Sequence, residues 1–306
     1  MKDKLILFLK GIAMGAADVI PGVSGGTIAF IAGIYERLIN ALSSIDLSLI
    51  QLLRKEGFLA VWKKVDGLFL LVLISGIGSS ILSLAKLVTY LLEFHPIPLW
   101  SFFLGLIIAS VVVVQRQMKQ VKWIHLIPFI VGIAFAWWIT TLVPAQTTNA
   151  LWFVFLSGAI AICAMILPGI SGSFILVVLG KYQYILESLQ ELRIEVILVF
   201  MAGCFIGLLS FVRFVKWLFS RYHDLSIAVL GGFMVGSLNK VWPWKITLES
   251  AQIEDKIVPL VQENVSPFAF EALTGAPAEI VSAMISAAVG LALILVLEYV
   301  GQRREF

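Results

Sequence analysis

Long apolar runs, each near the roughly 20 residues that cross a bilayer as a helix, follow one another along most of this chain. Hydrophobic residues make up 60% of the sequence and charged residues 13%, and the mean hydropathy is +1.01. Such a composition excludes an ordinary water-soluble domain. The runs are rich in Leu, Ile, Val and Phe throughout and lack the alternation of barrel strands. The sequence therefore predicts an all-α polytopic membrane protein.

Two of these apolar runs are interrupted by nearly the same sequence, PGVSGGT at 21–27 and PGISGSF at 168–174. Proline ends a helix, and glycine permits the backbone angles of a sharp turn. The serine that follows is suited to cap the next helix, whose first amides have no partner of their own. Either motif alone could simply kink a crossing helix, with small residues for close packing. The recurrence of the motif favours two re-entrant hairpins.

The two motifs belong to a longer internal repeat, residues 1–145 and 146–306. One match has an offset of 147 positions, and a second match further along has an offset of 127. The two offsets differ by the length of an extra polar stretch in the first half, around 43–64. The equivalent residues are Pro21 and Pro168, Gly22 and Gly169, Ser24 and Ser171, Gly25 and Gly172, Tyr35 and Tyr182, Gly76 and Gly203, and Lys86 and Arg213.

Each half is predicted to contain one broken segment and three transmembrane helices. In the first half the hairpin spans about 5–40 and the helices span about 67–92, 98–115 and 124–143. In the second half the hairpin spans about 151–188 and the helices span about 195–219, 225–239 and 278–300. The polar stretches 43–64 and 240–277 are predicted to be loops.

The placement of Lys and Arg orients these segments, because cytoplasmic loops carry an excess of both. Lys63 and Lys64 place the start of the first full helix in the cytoplasm, and Arg116 places the end of the next helix there. Arg303 and Arg304 do the same for the end of the last helix. Each broken segment must then enter and leave on one side, the first from the cytoplasm and the second from outside. The sequence therefore predicts an inverted-topology repeat with both termini cytoplasmic.

The predicted site lies where the two hairpin tips meet near the middle of the membrane. Two glycine-lined helix N-termini that face one cavity favour an anion, because their amides are free and the helix dipoles are positive there. Broken helices at matching positions of inverted halves are typical of a transporter's binding site. Basic residues inside apolar segments either bind an anion or extend to the headgroups. The predicted substrate-binding residues are Gly22, Ser24, Gly25, Gly26, Thr27, Gly169, Ser171, Gly172, Ser173, Lys86 and Arg213.

Asp18 has no acidic counterpart in the second half, where Met165 stands. It is predicted either to carry a coupling proton or sodium ion or to organise the turn by hydrogen bonding. His95, His125 and His223 share no metal-ligand spacing, and no nucleotide-binding motif is present, so we expect no metal or cofactor. The Ser-Gly pairs have no obvious partners for a nucleophilic serine, which favours transport over catalysis. The net charge of +3 does not indicate nucleic-acid binding.

The stretches GAADVIPGVSGGTIAFIAGIYERL and ILPGISGSFILVVLGKY resemble the bacterial polyprenyl-phosphate transporter family, and the resemblance covers nearly the whole chain. It implies a plasma-membrane flippase that returns undecaprenyl phosphate to the inner leaflet, recycling the carrier lipid for peptidoglycan and other envelope polymers. It also implies a signature made of Pro21, Gly22, Ser24, Gly25, Gly26 and Thr27 with Pro168, Gly169, Ser171 and Gly172.

A phosphate headgroup suits the predicted site, because Lys and Arg form charge-assisted hydrogen bonds with phosphate. We expect capture near Lys86, binding at Ser24 and Ser171, and release near Arg213, while the polyprenyl tail stays in lipid. A carrier or channel for a small soluble anion would use the same dipole site, and an intramembrane enzyme acting on the lipid is a further alternative.

Overall fold

The computed structural model describes residues 2–18, 24–253 and 256–302, and these residues are predominantly helical. They form fifteen α-helices and one two-stranded antiparallel sheet. The helices are α1 Lys2–Asp18, α2 Gly25–Ile31, α3 Tyr35–Ser43, α4 Ser48–Glu56, α5 Phe58–Lys64, α6 Gly67–Phe94, α7 Pro96–Gln115, α8 Leu126–Thr140, α9 Leu151–Ile166, α10 Gly172–Val178, α11 Tyr182–Gln190, α12 Ile194–Arg221, α13 His223–Val241, α14 Pro267–Thr274 and α15 Ile280–Gln302. The strands are β1 Lys245–Ile253 and β2 Lys256–Asn264, and a short 3-10 helix, Trp123–His125, precedes α8.

Four stretches of the described residues are long and apolar enough to cross a membrane as helices. They are Gly67–Leu84, Pro96–Gln115, Trp123–Thr140 and Ile194–Arg221. Shorter apolar stretches occupy Leu151–Ile166 and Ile280–Val296. The chain is therefore a helical, multi-pass membrane protein.

Helix α13 forms where the sequence predicts a membrane helix, but it is not among these four stretches. It contains several Gly and Ser residues and has polar residues at both ends, which lowers its hydropathy. Most of its residues are buried, because it packs between α7 and α8 in the centre of the bundle. A helix that its neighbours shield from lipid does not need a fully apolar surface.

The same element boundaries recur in the two halves. Helix α2 begins at Gly25 and α10 at Gly172, and each has 7 residues. Helices α3 and α11 each have 9 residues and begin at the equivalent residues Tyr35 and Tyr182. Helices α6 and α12 each have 28 residues, and their first residues lie 127 positions apart. The offsets of the sequence repeat are therefore offsets between helices as well.

Four pairs of helices pack closely and run parallel: α1 with α6, α9 with α12, α7 with α15, and α8 with α13. Small residues allow the backbones to approach, as where Gly11 lies against Gly76 and Gly132 against Gly232. The first two pairs are equivalent in the repeat, and so are the last two. Helices α7 and α13 contact each other and run antiparallel, because Gln115 at the end of α7 lies beside the start of α13.

The prediction that both polar stretches are loops was wrong. The stretch 43–64 contains α4 and α5, and the stretch 240–277 contains the β-hairpin and α14. Apolar residues in α4 recur at helical spacing, and polar and apolar residues alternate in part of β1. Short amphipathic elements of this kind are easily read as loops when they lie between membrane helices.

Candidate functional site

The first motif lies between the end of α1 at Asp18 and the start of α2 at Gly25. Ser24 is the N-cap of α2, and its Oγ accepts a hydrogen bond from the Gly26 amide at 3.1 Å. The Gly25 amide donates to Asp18 Oδ1 at 2.7 Å. A carboxylate of the protein itself therefore binds the start of α2, where the sequence predicts an external anion. Gly22 lies outside the described residues.

The second motif lies between the end of α9 at Ile166 and the start of α10 at Gly172. Gly169 has a φ of +87°, in the left-handed region that favours glycine. Ser171 stands at the N-cap but makes no side-chain cap hydrogen bond, and its Oγ lies 2.8 Å from Ser173 Oγ. Among the described residues, the amides of Gly172 and Ser173 have no hydrogen-bond acceptor. The second tip thus leaves donors available.

The two motifs contact each other directly. Ser24 Oγ lies 3.0 Å from the carbonyl oxygen of Met165 and 3.4 Å from that of Leu167, both just before the second motif. In the opposite direction, the Gly169 amide donates to Thr27 Oγ1 at 2.9 Å. Ser24 and Thr27 are each only 1% exposed. These hydrogen bonds join residues more than 140 positions apart, at the level where both segments are interrupted.

Glycine is required at the contact because the backbones approach so closely. A Cβ on Gly26 would lie 2.6 Å from the carbonyl oxygen of Ile166 in the other half. A Cβ on Gly172 would lie 2.6 Å from the carbonyl oxygen of Ala161 in α9 of its own half, so this glycine allows α10 to pack on α9. The close-packing interpretation that the sequence left open therefore applies to these glycines. Close packing and a binding role are compatible, because the packing is what brings the two tips together.

The structure does not bring Lys86 and Arg213 to the tips. Both side chains are exposed, Lys86 on α6 and Arg213 on α12. Arg213 Nη2 donates to the carbonyl oxygen of Ile45, 2.8 Å away and just beyond the end of α3. Their predicted role in binding the substrate stays a prediction.

Sequence reasoning missed two lysines that line a cavity beside the second motif. The cavity has a volume of about 250 Å³, and Lys240 and Lys245 line it together with Phe174 of α10. Lys240 is the second-last residue of α13, and Lys245 begins β1. Burial, and secondarily repulsion from Lys240, lowers the pKa of Lys245 to about 7. The rest of the lining comes from Thr140, Thr141, Leu142, Val143, Pro144, Val177, Asn239, Gln262, Glu263 and Asn264.

A signal for these lysines was present in the sequence. The charge pattern assigns the end of the 225–239 helix to the outside, where Lys and Arg are less frequent than in the cytoplasm. Two lysines on the side predicted to be outside, close to the end of a membrane helix, go against this bias. An exception of that kind can mark a residue kept for its function.

The structure defines the general class of this protein through its parallel helix pairs and its two broken helices, which contact each other. It is a multi-pass membrane protein with discontinuous helices at equivalent positions. The particular family follows from comparison with known proteins. Residues 14–257 match the model of the undecaprenyl phosphate translocase-like family, and the chain belongs to that family.

Two similar proteins carry informative names. A polyprenyl-phosphate transporter of Vibrio cholerae serotype O1 is 48% identical over 295 residues, which is 96% of this chain and 96% of that protein. A polyprenyl-phosphate transporter of Staphylococcus aureus is 33% identical over 258 residues, which is 78% of this chain and 87% of that protein. No solved structure matches this chain. The sequence-based family assignment is therefore confirmed.

Proposed function

We propose that this protein moves undecaprenyl phosphate between the leaflets of the bacterial plasma membrane, as a flippase that recycles the carrier lipid for peptidoglycan and other envelope polymers. The family and the two named transporters support a polyprenyl phosphate as the substrate. The observation that carries the mechanism is the contact between the two motifs, through Ser24 with Met165 and Thr27 with Gly169. Discontinuous helices that meet in this way are typical of transporter binding sites.

The proposed architecture is an inverted repeat with cytoplasmic termini. In the topology that the charges require, both members of each close pair, such as α1 and α6 or α9 and α12, run in the same direction along the membrane normal. The parallel packing of all four pairs is consistent with this requirement. The same topology requires that α7 and α13 run antiparallel, and their contact at Gln115 is consistent with this. The first hairpin would then enter from the cytoplasm and the second from outside.

The phosphate headgroup would bind at the junction of the tips. The second tip offers the amides of Gly172 and Ser173 and the hydroxyl of Ser171, whereas Asp18 already accepts from the first tip. Amides at a helix start bind phosphate well, because the helix dipole adds to their hydrogen bonds. A bundle of this size cannot enclose a long polyprenyl tail, so the tail would remain in lipid and follow the headgroup through a lateral opening.

The two halves differ in a way that supports alternating access. Helix α3 crosses to the other half and packs on α12, where the rings of Tyr35 and Phe219 lie 5.8 Å apart and Glu36 Oε1 lies 3.3 Å from His223 Nε2. Its counterpart α11 packs instead on α10 and α12 of its own half. At one end of the bundle the halves are in contact around a cavity of about 150 Å³ lined in part by Glu36 and Phe219, and the larger lysine-lined cavity lies at the other end. In the proposed mechanism the contact between the halves closes the first of these ends. By the charge pattern, the closed end is cytoplasmic.

The opposite state follows from exchanging the roles of the halves. Helix α11 would pack on α6, and α3 would leave α12. In the repeat, Lys86 is equivalent to Arg213 and Leu192 is equivalent to Ile45. The hydrogen bond from Arg213 to the Ile45 carbonyl oxygen would therefore be replaced by one from Lys86 to the Leu192 carbonyl oxygen. In this mechanism the two basic residues hold the closed ends alternately, and Asp18 is the candidate to couple the exchange to a proton or sodium ion.

Vesicles reconstituted with the protein test the proposed function. Undecaprenyl phosphate with a radiolabelled phosphate should move between leaflets, as measured by the fraction of the label that a membrane-impermeant phosphatase releases when it is added outside the vesicles. Replacing Ser24 and Ser171 together by Ala should slow this movement at least about tenfold, because hydrogen bonds at the tips are lost. The matched control replaces Ser75 and Ser79, whose hydroxyls bond only to carbonyls of their own helix.

Two outcomes would contradict the proposal. Transport of inorganic phosphate without lipid movement would indicate a small-anion carrier. Conversion of the lipid to a dephosphorylated product would indicate an enzyme, so the lipid should be recovered chemically unchanged after prolonged incubation.

A further inference from the structure

The cavity at the open end of the bundle is built from five elements that meet beside the second motif. Helix α13 contributes Lys240 and strand β1 contributes Lys245. Helix α10 contributes Phe174, which immediately follows Ser173 of the motif. The end of α8 and strand β2 complete the wall. An occupant of this cavity would therefore be adjacent to the donors of the second tip.

The polar wall of this cavity is fixed by hydrogen bonds. Asn239 Nδ2 donates to Thr140 Oγ1 at 2.9 Å, which joins α13 to the end of α8. Asn264 Nδ2 donates to the Asn239 carbonyl and side-chain oxygens at 2.7 and 2.8 Å, which joins β2 to α13. The lysines thus project from a wall in which Asn239, Asn264 and Thr140 are held by hydrogen bonds to one another.

Neither lysine has an acidic partner among the described side chains. Lys240 Nζ lies 4.5 Å from the centre of the Phe174 ring, and Lys245 Nζ lies 4.1 Å from the centre of the Trp100 ring. Glu263 is the acidic residue of the described lining, but it is exposed and forms no ion pair with either lysine. Two partly buried cations side by side repel each other and lose hydration, so the arrangement is costly without an anion.

We propose that Lys240 and Lys245 form the outer binding site for a phosphate monoester, where the headgroup is held before it reaches the second tip. This inference rests on the proposed function for the identity of the lipid. A phosphate monoester carries a charge of about −1.5 to −2 near neutral pH. This charge matches two ammonium groups, because a bound anion favours the protonated form of Lys245. The rings of Phe174 and Trp100 exclude water on one side of the cations, which strengthens their attraction to an anion.

A purely structural role for the lysines makes a different prediction. Lys245 Nζ donates to the carbonyl oxygen of Lys240 in the last turn of α13, as a cation that caps a helix C-terminus does. If capping were its only role, Lys245→Gln would lower thermal stability and leave phosphate binding unchanged. If the lysines form a binding site, removing one of two repelling cations should leave the empty protein equally or more stable and weaken binding.

The test uses the full chain in detergent micelles, with farnesyl phosphate, farnesol and inorganic phosphate as probes. The melting temperature is followed against the concentration of each probe in wild type, Lys240→Gln, Lys245→Gln and the double variant. We expect farnesyl phosphate and inorganic phosphate to stabilise the wild type and farnesol to do so far less. Each single variant should require about tenfold more phosphate for the same shift, and the double variant about a hundredfold more.

Two further variants make the result interpretable. Lys55→Gln removes a cation from the exposed surface of α4 and should bind as wild type does, which controls for net charge. The Lys240→Arg and Lys245→Arg double variant keeps both charges and should retain binding. A double Gln variant that is folded and responds to phosphate as the wild type does would overturn the inference.

Transport assays separate this inference from the proposed function. If the wild type moves the labelled lipid and the double Gln variant moves it with unchanged rate and concentration dependence, the lysine site is wrong and the function stands. If inorganic phosphate binds in a lysine-dependent way but the wild type moves no lipid, the site stands and the function is wrong.

Discussion

The contribution of the contact between the two motifs to the free energy of unfolding can be measured through the hydrogen bond between the Gly169 amide and Thr27 Oγ1. Thr27 is 1% exposed, Gly169 is buried, and the donor and acceptor lie 2.9 Å apart. Thr27→Val keeps the shape of the side chain but removes the acceptor, so the amide is left buried without a partner. Such an unsatisfied donor costs about 1–3 kcal/mol. We therefore expect the free energy of unfolding to fall by that amount.

Equilibrium unfolding by sodium dodecyl sulfate in maltoside micelles, followed by tryptophan fluorescence, measures this change. Thr141→Val is the matched control, because Thr141 is exposed and its hydroxyl bonds only to the Trp138 carbonyl of its own helix. The control should change the unfolding free energy by less than about 0.5 kcal/mol. Thr27→Ser keeps the acceptor and should lose less stability than Thr27→Val. If Thr27→Val unfolds as the wild type does, the two motifs are not joined in the way described.

Two further predictions concern the cavity and the opposite state. In binding titrations, the affinity for phosphate should fall about tenfold or more between pH 7 and pH 9, because Lys245 has a pKa of about 7 and loses its charge over this range. The charged groups that face Lys245 in the cavity are Lys240 and Glu263. An affinity that rises with pH would contradict this prediction. Cysteines introduced together at Leu92 and Tyr182 should form a disulfide only when the outer end is closed, because these positions are equivalent to Phe219 and Tyr35, which pack against each other. If the substrate does not change the yield of this disulfide, the proposed exchange between the two states is wrong.

Much of the helical framework can be predicted from the sequence, because it depends on local patterns. Apolar runs predict the membrane helices, and the repeat offsets predict that α10 begins as α2 does. The capping role of Ser24 follows from a serine placed between a helix breaker and an apolar run, and the Gly26–Ser24 hydrogen bond confirms it.

Other features of the site depend on distant parts of the chain meeting. The sequence offers hydrogen bonding at the turn as one role for Asp18, and the hydrogen bond from the Gly25 amide confirms it. The sequence does not indicate that this carboxylate takes up the amide at the start of α2, which was predicted to bind an external anion. The lysine pair depends on β1 folding back beside the end of α13, which no periodicity in the sequence indicates. Contacts between side chains that only tertiary packing brings together therefore cannot be predicted from local sequence patterns.

The side of the membrane on which each broken segment begins and ends tests the central claim most directly. In a variant without the two native cysteines, single cysteines at Lys4 and Lys63 flank the first segment, and single cysteines at Gln146 and Leu192 flank the second; all four positions are exposed. Membrane-impermeant maleimide should label the first two only from the cytoplasm and the last two only from outside. Labelling of the two members of either pair from opposite sides would contradict the account.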